Sequence, residues 1–191
     1  MVTSKFKVLA FDPGITTTGY ALLECSTNGS DIVVLKLGEI HPGPVVDKKE
    51  FREEVEKYDK RTISLSYLRE QIQKLLEKFK PDAVCTEDAF YNPRRPGAFA
   101  ALCMWICTVR MVCRDYAGKY LVAIPTKTCK KEMTGVGGDS KLPVQQAVVS
   151  NKRIIFKDEM DKLHMSEHQA DSIAVGVAFR NLFGTCAEER K

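Results

Sequence analysis

The chain has 191 residues, a formal net charge of +4 at pH 7, and a composition that is 44% hydrophobic and 28% charged. That length can bury a sizeable core in one domain, 1–191, and that balance excludes an intrinsically disordered chain. No run approaches the ~18 consecutive apolar residues of a bilayer-spanning helix, so no membrane association is expected.

In chain order, Lys7 to Phe11 is a short apolar run stopped by Asp12-Pro13-Gly14, and reads as a buried strand. Gly19 to Glu24 and Ile32 to Ile40 read as two further strands, with the hairpin signal "STNGSD" between them. Residues 41–60, rich in Pro, Gly and charge, read as a long excursion with a short solvated helix. Leu65, Leu68, Ile72, Leu75, Leu76 and Phe79 recur at helical spacing, so 62–79 is predicted to be an amphipathic helix ended by Pro81. "DAVCTE" is a fourth strand closed by Glu87, "YNPRRPG" a loop, Ala98 to Tyr116 a helix, and "YLVAIP" a fifth strand. Thr126 is placed to cap a short helix running to Met133. The glycine turn "TGVGGDSK", a helix from Pro143 to Ser150 and a last helix from Ser166 to Leu182 complete the series.

Three consecutive strands followed by alternating helices and strands predict an α/β fold. Its five-stranded mixed sheet has strands 1–3 antiparallel and strands 1, 4 and 5 parallel, and helices flank it. Right-handed crossovers then bring the C-terminal ends of strands one, four and five to one edge, where open α/β sheets bind ligands. Asp12 and Glu87 close two of those strands. His168 and Asp171, three apart, share a face of the last helix, whose Ile173, Val175, Val177, Ala178 and Leu182 are apolar enough to pack on the sheet. With that helix's N-terminus over the same edge, Asp12, Glu87, His168 and Asp171 converge. Three crowded carboxylates repel one another unless a cation sits among them, and Mg²⁺ prefers such oxygen ligands, with Mn²⁺ as its substitute. Two ions about 3.5–4 Å apart, bridged by Asp12, would suit phosphodiester cleavage. His168 would ligate one of them or handle a proton near the leaving group.

Charge is uneven along the chain. From Arg110 to Lys157 there are ten basic residues against three acidic ones, which suggests a polyanionic partner.

Four segments, "FDPGITTTGYALLE", "TEDAFYNPRRPGAFA", "KKEMTGVGGDSK" and "SEHQADSIAVGVA", occur in the order and at the spacing of the RuvC Holliday junction resolvases. The chain resembles that family over roughly residues 6–182. The resemblance implies an RNase H-like fold and a dimeric, metal-dependent crossover junction endodeoxyribonuclease leaving 5′-phosphate ends. By position, Asp12, Glu87 and Asp171 match the family's metal-binding acids, and His168 matches a position that is Asp or His among members. Lys130 and Lys141 match its basic residues near the cleaved strand. Phe90 matches the aromatic that enters the junction and stacks on a base, at on the order of 1–3 kcal/mol per stack. Tyr91, Lys127 and Lys131 join this DNA-binding set as neighbours of matched residues. Arg94 and Arg95, between two prolines, form a stiff basic loop expected to contact phosphates. The 41–60 excursion is longer and more charged than the family's usual connection. Location in the cytoplasm of a bacterium or a phage-infected host follows from the same resemblance, and seven cysteines with no CxxC pair agree with a reducing compartment.

Other readings explain less. "HMSEH" at 164–168 matches the H-x-x-E-H zinc pattern but leaves Asp12 and Glu87 idle. "DPGITTTGY" resembles the phosphate turn of actin-like ATPases, but a second glycine-rich phosphate turn is missing. A decayed, non-catalytic DNA-binding module would be expected to have lost acids. A broader endonuclease acting on branched DNA or replication forks is the main alternative. Cys103, Cys107 and Cys113 read as small buried apolar residues of the helix 98–116. That helix is apolar nearly all round, so the face not on the sheet, with Met104 or Trp105, is the expected surface of a homodimer on a four-way junction.

Overall fold

The computed structural model describes residues 4–27, 31–135, 144–157 and 164–184. Six strands form one sheet: β1 (Lys5–Asp12), β2 (Thr18–Ser26), β3 (Ile32–Ile40), β4 (Ala83–Glu87), β5 (Leu121–Ile124) and β6 (Ile154–Phe156), in the order β5-β4-β1-β2-β3-β6. β1, β2 and β3 pair antiparallel, and β4 and β5 run parallel to β1 as expected. The sixth strand corrects the predicted count of five. It pairs parallel with β3 through Ile154, Ile155 and Phe156, a run too short to show any alternation in sequence.

Alternation along β1 builds the two layers. Val8 and Ala10 face one side, with Ala21, Leu23, Cys25 and Cys85, and are covered by α7 (Glu167–Phe183), α5 (Thr126–Thr134) and α6 (Val144–Ser150). Leu9 and Phe11 face the other side and are covered by α3 (Lys60–Phe79) and α4 (Pro96–Ala117). α3 presents Ser64, Leu68, Ile72 and Leu76 at four-residue spacing, the stripe a helix needs to lie on a sheet. Asp59 starts that helix by accepting from the backbone N–H groups of Arg61 and Thr62 at 2.8 and 3.0 Å. The excursion folds into α1 (Pro42–Val46), a 3₁₀ turn (Lys49–Phe51) and α2 (Arg52–Tyr58), with α1 packed on α3.

α4 is long and apolar enough, by length and composition alone, to pass for a membrane span. Its inner face nevertheless belongs to the core: Trp105, Ile106, Val109, Val112 and Cys113 are buried. Trp105 meets Phe11 edge-on with ring centroids 5.7 Å apart, and its Nε1–H donates to Thr18 Oγ1 at 2.9 Å. The Thr18 hydroxyl in turn donates to the Gly14 carbonyl at 2.6 Å, so the turn after Asp12 is tied to α4. Trp105 therefore belongs to the core and is removed from the predicted partner surface, whereas Met104 is 40% exposed. Cys113 is buried as expected, but Cys107 is exposed. Burial pushes the Cys25, Cys113 and Cys129 thiols up to about 12, which leaves them inert packing groups at neutral pH.

Candidate active site

Asp12 is the last residue of β1, and Glu87 the last of β4. The parallel register pairs Phe11 with Thr86, so Asp12 and Glu87 stand side by side one step further on. Asp12 shares its parity with Val8 and Ala10, and Glu87 shares that of Cys85, so both lie on the face covered by α7. Directly across the β1–β2 ladder from Asp12 is Gly19. A Cβ on Gly19 would lie 2.2 Å from the His168 carbonyl oxygen, so the absent side chain lets the start of α7 settle on the strand ends. Gly176, two turns along, does the same lower down, where a Cβ would meet Leu23 Cδ1 at 2.2 Å. These two close approaches bring His168 over Asp12, with His168 Nδ1 and Asp12 Oδ2 2.6 Å apart.

α7 begins with a capping box. The Ser166 hydroxyl accepts from Gln169 N–H at 3.1 Å, and Gln169 Oε1 accepts from Ser166 N–H at 3.0 Å. Because the helix starts only at Glu167, His164 and His168 do not share one helix, which removes the geometry that the H-x-x-E-H zinc pattern requires.

The electrostatics are those of crowded acids. Glu87 is pushed up to about 7 by burial and by the Asp12 and Asp171 charges, and Lys130 pulls it partly back. The Thr126 hydroxyl also holds Glu87 down, although Thr126 Oγ1 is buried without reaching hydrogen-bonding geometry to any described group. Thr126 is thus no helix cap; Pro125 occupies that position, and the hydroxyl faces the acid instead. Asp171 is pushed up to about 6 by burial, Asp12 and Glu167, against the pull of Lys130 and His168. Asp12 is raised by burial in spite of its hydrogen bond and ion pair with His168. Burial pulls His168 down, but the hydrogen bond and charge of Asp12, with the charges of Glu39 and Asp171, more than reverse it.

Asp12, Glu87, His168 and Asp171 therefore gather at one edge, and Lys130 of α5 acts electrostatically on two of the acids. They do not form a closed cage: among the described residues, no three His, Cys, Asp or Glu side chains stand close enough to enclose one ion. The donor chemistry still fits a hard divalent cation, because three mutually repelling carboxylates and one imidazole face a common space.

Around this edge, Phe90 and Tyr91 are 53% and 63% exposed, which excludes core packing for Phe90. Tyr91 packs edge-on against Phe99 with centroids 5.6 Å apart. Arg94 and Arg95 are exposed on a turn held by Asn92, whose side chain and carbonyl accept from their backbone N–H groups at 3.0 and 2.9 Å. Lys127, Lys130 and Lys131 are exposed on α5. Lys141 lies outside the described residues. The basic run from Arg110 to Lys157 is not one face: β5 and β6 are opposite edges of the sheet, and α4 and α5 cover opposite sides. Glu39 is a further acid at the site that the sequence reading missed.

Comparison with known proteins agrees with this architecture. Residues 8–179 match the family described as crossover junction endodeoxyribonuclease RuvC. A protein of that name from Caldicellulosiruptor saccharolyticus is 25% identical over 171 residues, covering 90% of each chain. In fold, the chain is similar to T. thermophilus RuvC in complex with a Holliday junction substrate (TM-score 0.67, 16% identity, 94% of this chain and 97% of that one). It is also similar to the yeast mitochondrial Holliday junction resolvase Ydc2 (TM-score 0.64, 16% identity, 96% of this chain and 81% of that one).

Proposed function

This chain belongs to the RuvC family of crossover junction endodeoxyribonucleases, and on that footing we propose that it resolves four-way DNA junctions by metal-dependent phosphodiester hydrolysis on opposing strands. The observation that carries the reading is the meeting of Asp12, Glu87 and Asp171, from three distant stretches of chain, at one sheet edge where Asp12 raises Asp171 and both raise Glu87. Asp12, Glu87, Asp171 and His168 would hold Mg²⁺, two ions per site, with Mn²⁺ as substitute; when bound, the ions supply an activated water and neutralise charge on the phosphate.

The remaining roles fall to the chain's own side chains. Lys130 sets a positive charge beside Glu87 and Asp171, where negative charge grows on the scissile phosphate in the transition state. Lys127 and Lys131, on the same helix, and Lys141, by its resemblance, position the backbone of the cut strand. Phe90 and Tyr91 leave the strand end as exposed rings that unpaired bases can stack on, and Arg94 and Arg95 hold nearby phosphates. Residues 1–191 work as one nuclease domain. Two copies pair through the outward face of α4, so that two equivalent sites address the two equivalent strands of a junction. The activity belongs in a bacterial or phage-infected cytoplasm, where such junctions arise.

A cleavage assay on four-way, three-way and linear DNA, with Mg²⁺ and with chelator, tests this. Symmetric paired nicks with 5′-phosphates on the four-way junction alone are expected. Equal cutting of three-way DNA would replace the reading with a broader branched-DNA endonuclease, and cutting in chelator would remove the metal.

A further inference from the structure

β3 ends close to an acid with no part in the scheme above. Glu39 stands across the β2–β3 ladder from Gly19, and Gly19 stands across the β1–β2 ladder from Asp12. The three positions form one row on the face covered by α7. The middle one lacks a side chain, and the backbone of His168 fills the space. The Glu39 carboxylate has partners from two different elements. The Ser166 hydroxyl donates to Oε1, and His41 Nε2, at the head of the 41–60 excursion, lies 3.1 Å from Oε2.

Ser166 is the N-cap of α7. Its hydroxyl oxygen accepts from Gln169 N–H, which leaves the hydroxyl proton to be placed. Glu39 takes that proton, and so holds the hydroxyl in the orientation that the cap needs. Two residues on, His168 meets Asp12.

We propose that Glu39 is the positioning residue for the active-site end of α7: it locks Ser166, thereby sets His168 against Asp12, and through His41 ties the 41–60 excursion to the same carboxylate. Each of its oxygens holds one of these partners, so its geometric role runs through the start of the helix, while its charge also acts on His168 and Asp12. The inference rests on the junction-cleaving reading of the site.

Three readouts test it: single-turnover junction cleavage in Mg²⁺, junction Kd, and the imidazole ¹⁵N signals of His168. Glu39→Ala should slow cleavage about tenfold, the scale of a small misplacement of a reacting group, with Kd unchanged and the His168 signals shifted. Glu39→Gln retains an acceptor for Ser166 and should restore the cleavage rate, although it removes a charge that acts on His168. Ser166→Asp keeps a capping oxygen but sets like charge against Glu39, so it should slow cleavage, and adding Glu39→Gln should relieve the loss. Wild-type cleavage and unmoved His168 signals in Glu39→Ala would overturn the proposal. So would a Glu39→Gln variant as slow as Glu39→Ala, or a Ser166→Asp loss that Glu39→Gln does not relieve. A wild-type protein that cuts no branched DNA defeats the nuclease reading instead, and the His168 signals then still decide the positioning role.

Discussion

Gly19 and His168 approach so closely that a single methyl group on Gly19 would lie 2.2 Å from the His168 carbonyl oxygen. The contact is backbone against backbone, so no side-chain rotation can relieve it. Gly19→Ala should therefore lift the first turn of α7 from the strand ends and part His168 from Asp12. A displacement of ~1 Å at a reacting site can cost on the order of 100-fold in rate, so cleavage should fall by that order while the variant stays folded. Single-turnover cleavage beside circular dichroism checks this, and wild-type turnover would show that the helix start is not what sets the site.

The crowded acids make a prediction about stability. Glu87 titrates near 7 and Asp171 near 6 in the folded chain, above their ordinary values of 4.5 and 3.8. Groups raised on folding favour the folded state below their unfolded pKa, and that contribution is lost as pH rises through the folded value. His168, also raised by its pairing with Asp12, acts in the same direction. In chelator, the protein should lose roughly 2 kcal/mol between pH 5 and pH 8, a Tm lower by about 4–8 °C. Mg²⁺ should restore more at pH 8 than at pH 5, because cations compete with protons for the same carboxylates. Glu87→Gln should flatten the pH profile, raise Tm at pH 8 and abolish cleavage. Calorimetry across that range decides it; a Tm in chelator that rises with pH would mean the acids do not repel one another.

What could be read in the sequence, and what could not, follows from the length of each signal. β1 to β5 were legible because each is an apolar run closed by a turn or an acid, and crossover handedness then placed Asp12 beside Glu87. His168 and Asp171 were legible from helical spacing. Glu39 was hidden by a register shift: opposite Leu22 and Leu23, β3 carries one extra residue, so Ile32 and Val34 face α7 and so do Leu37 and Glu39. Strict alternation from Ile32 assigns Glu39 to the opposite face. The signal that could have revealed it is an acid two residues after Leu37 in a strand whose other charged residue is Lys36. The side of Trp105 is not legible because a helix apolar all round does not say which side meets the sheet, and the Trp105 to Thr18 bond that decides it spans 87 residues. Nearness in sequence likewise does not make the basic run one surface: the fold sends its strands β5 and β6 to opposite edges of the sheet.

Phe90 separates stacking from packing. At 53% exposed, it leaves little behind when truncated, and surface changes of this kind usually stay within ±0.5 kcal/mol. Phe90→Ala should keep the wild-type Tm, bind junction nearly as well, and lose most of the opening of base pairs at the crossover. Fluorescence of 2-aminopurine beside the crossover reports that opening directly. Equal loss of binding and opening would make Phe90 an ordinary part of the binding surface.

The outward face of α4 supplies the last test. Met111 is 65% exposed and Met104 40%, and Cys107 is exposed on the same face. Met111 also lines, with Thr62, Leu65, Ser66, Arg69 and Thr108, a groove of about 280 Å³ between α3 and α4. In a lone protomer a glutamate at 111 remains in water and should leave the unfolding midpoint unchanged. In a dimer closed over this face, Met111→Glu puts an unpaired charge in a desolvated interface, a loss of ~3–5 kcal/mol for each uncompensated charge, and two-fold symmetry doubles it. Sedimentation should therefore show wild type as a dimer and the variant as a folded monomer. Since the three acids and His168 all come from one chain, that monomer should still nick a junction, but the paired cuts on opposing strands should become independent of one another. A Met111→Glu protein that remains dimeric would place the interface elsewhere and leave the apolar face of α4 without its assigned partner.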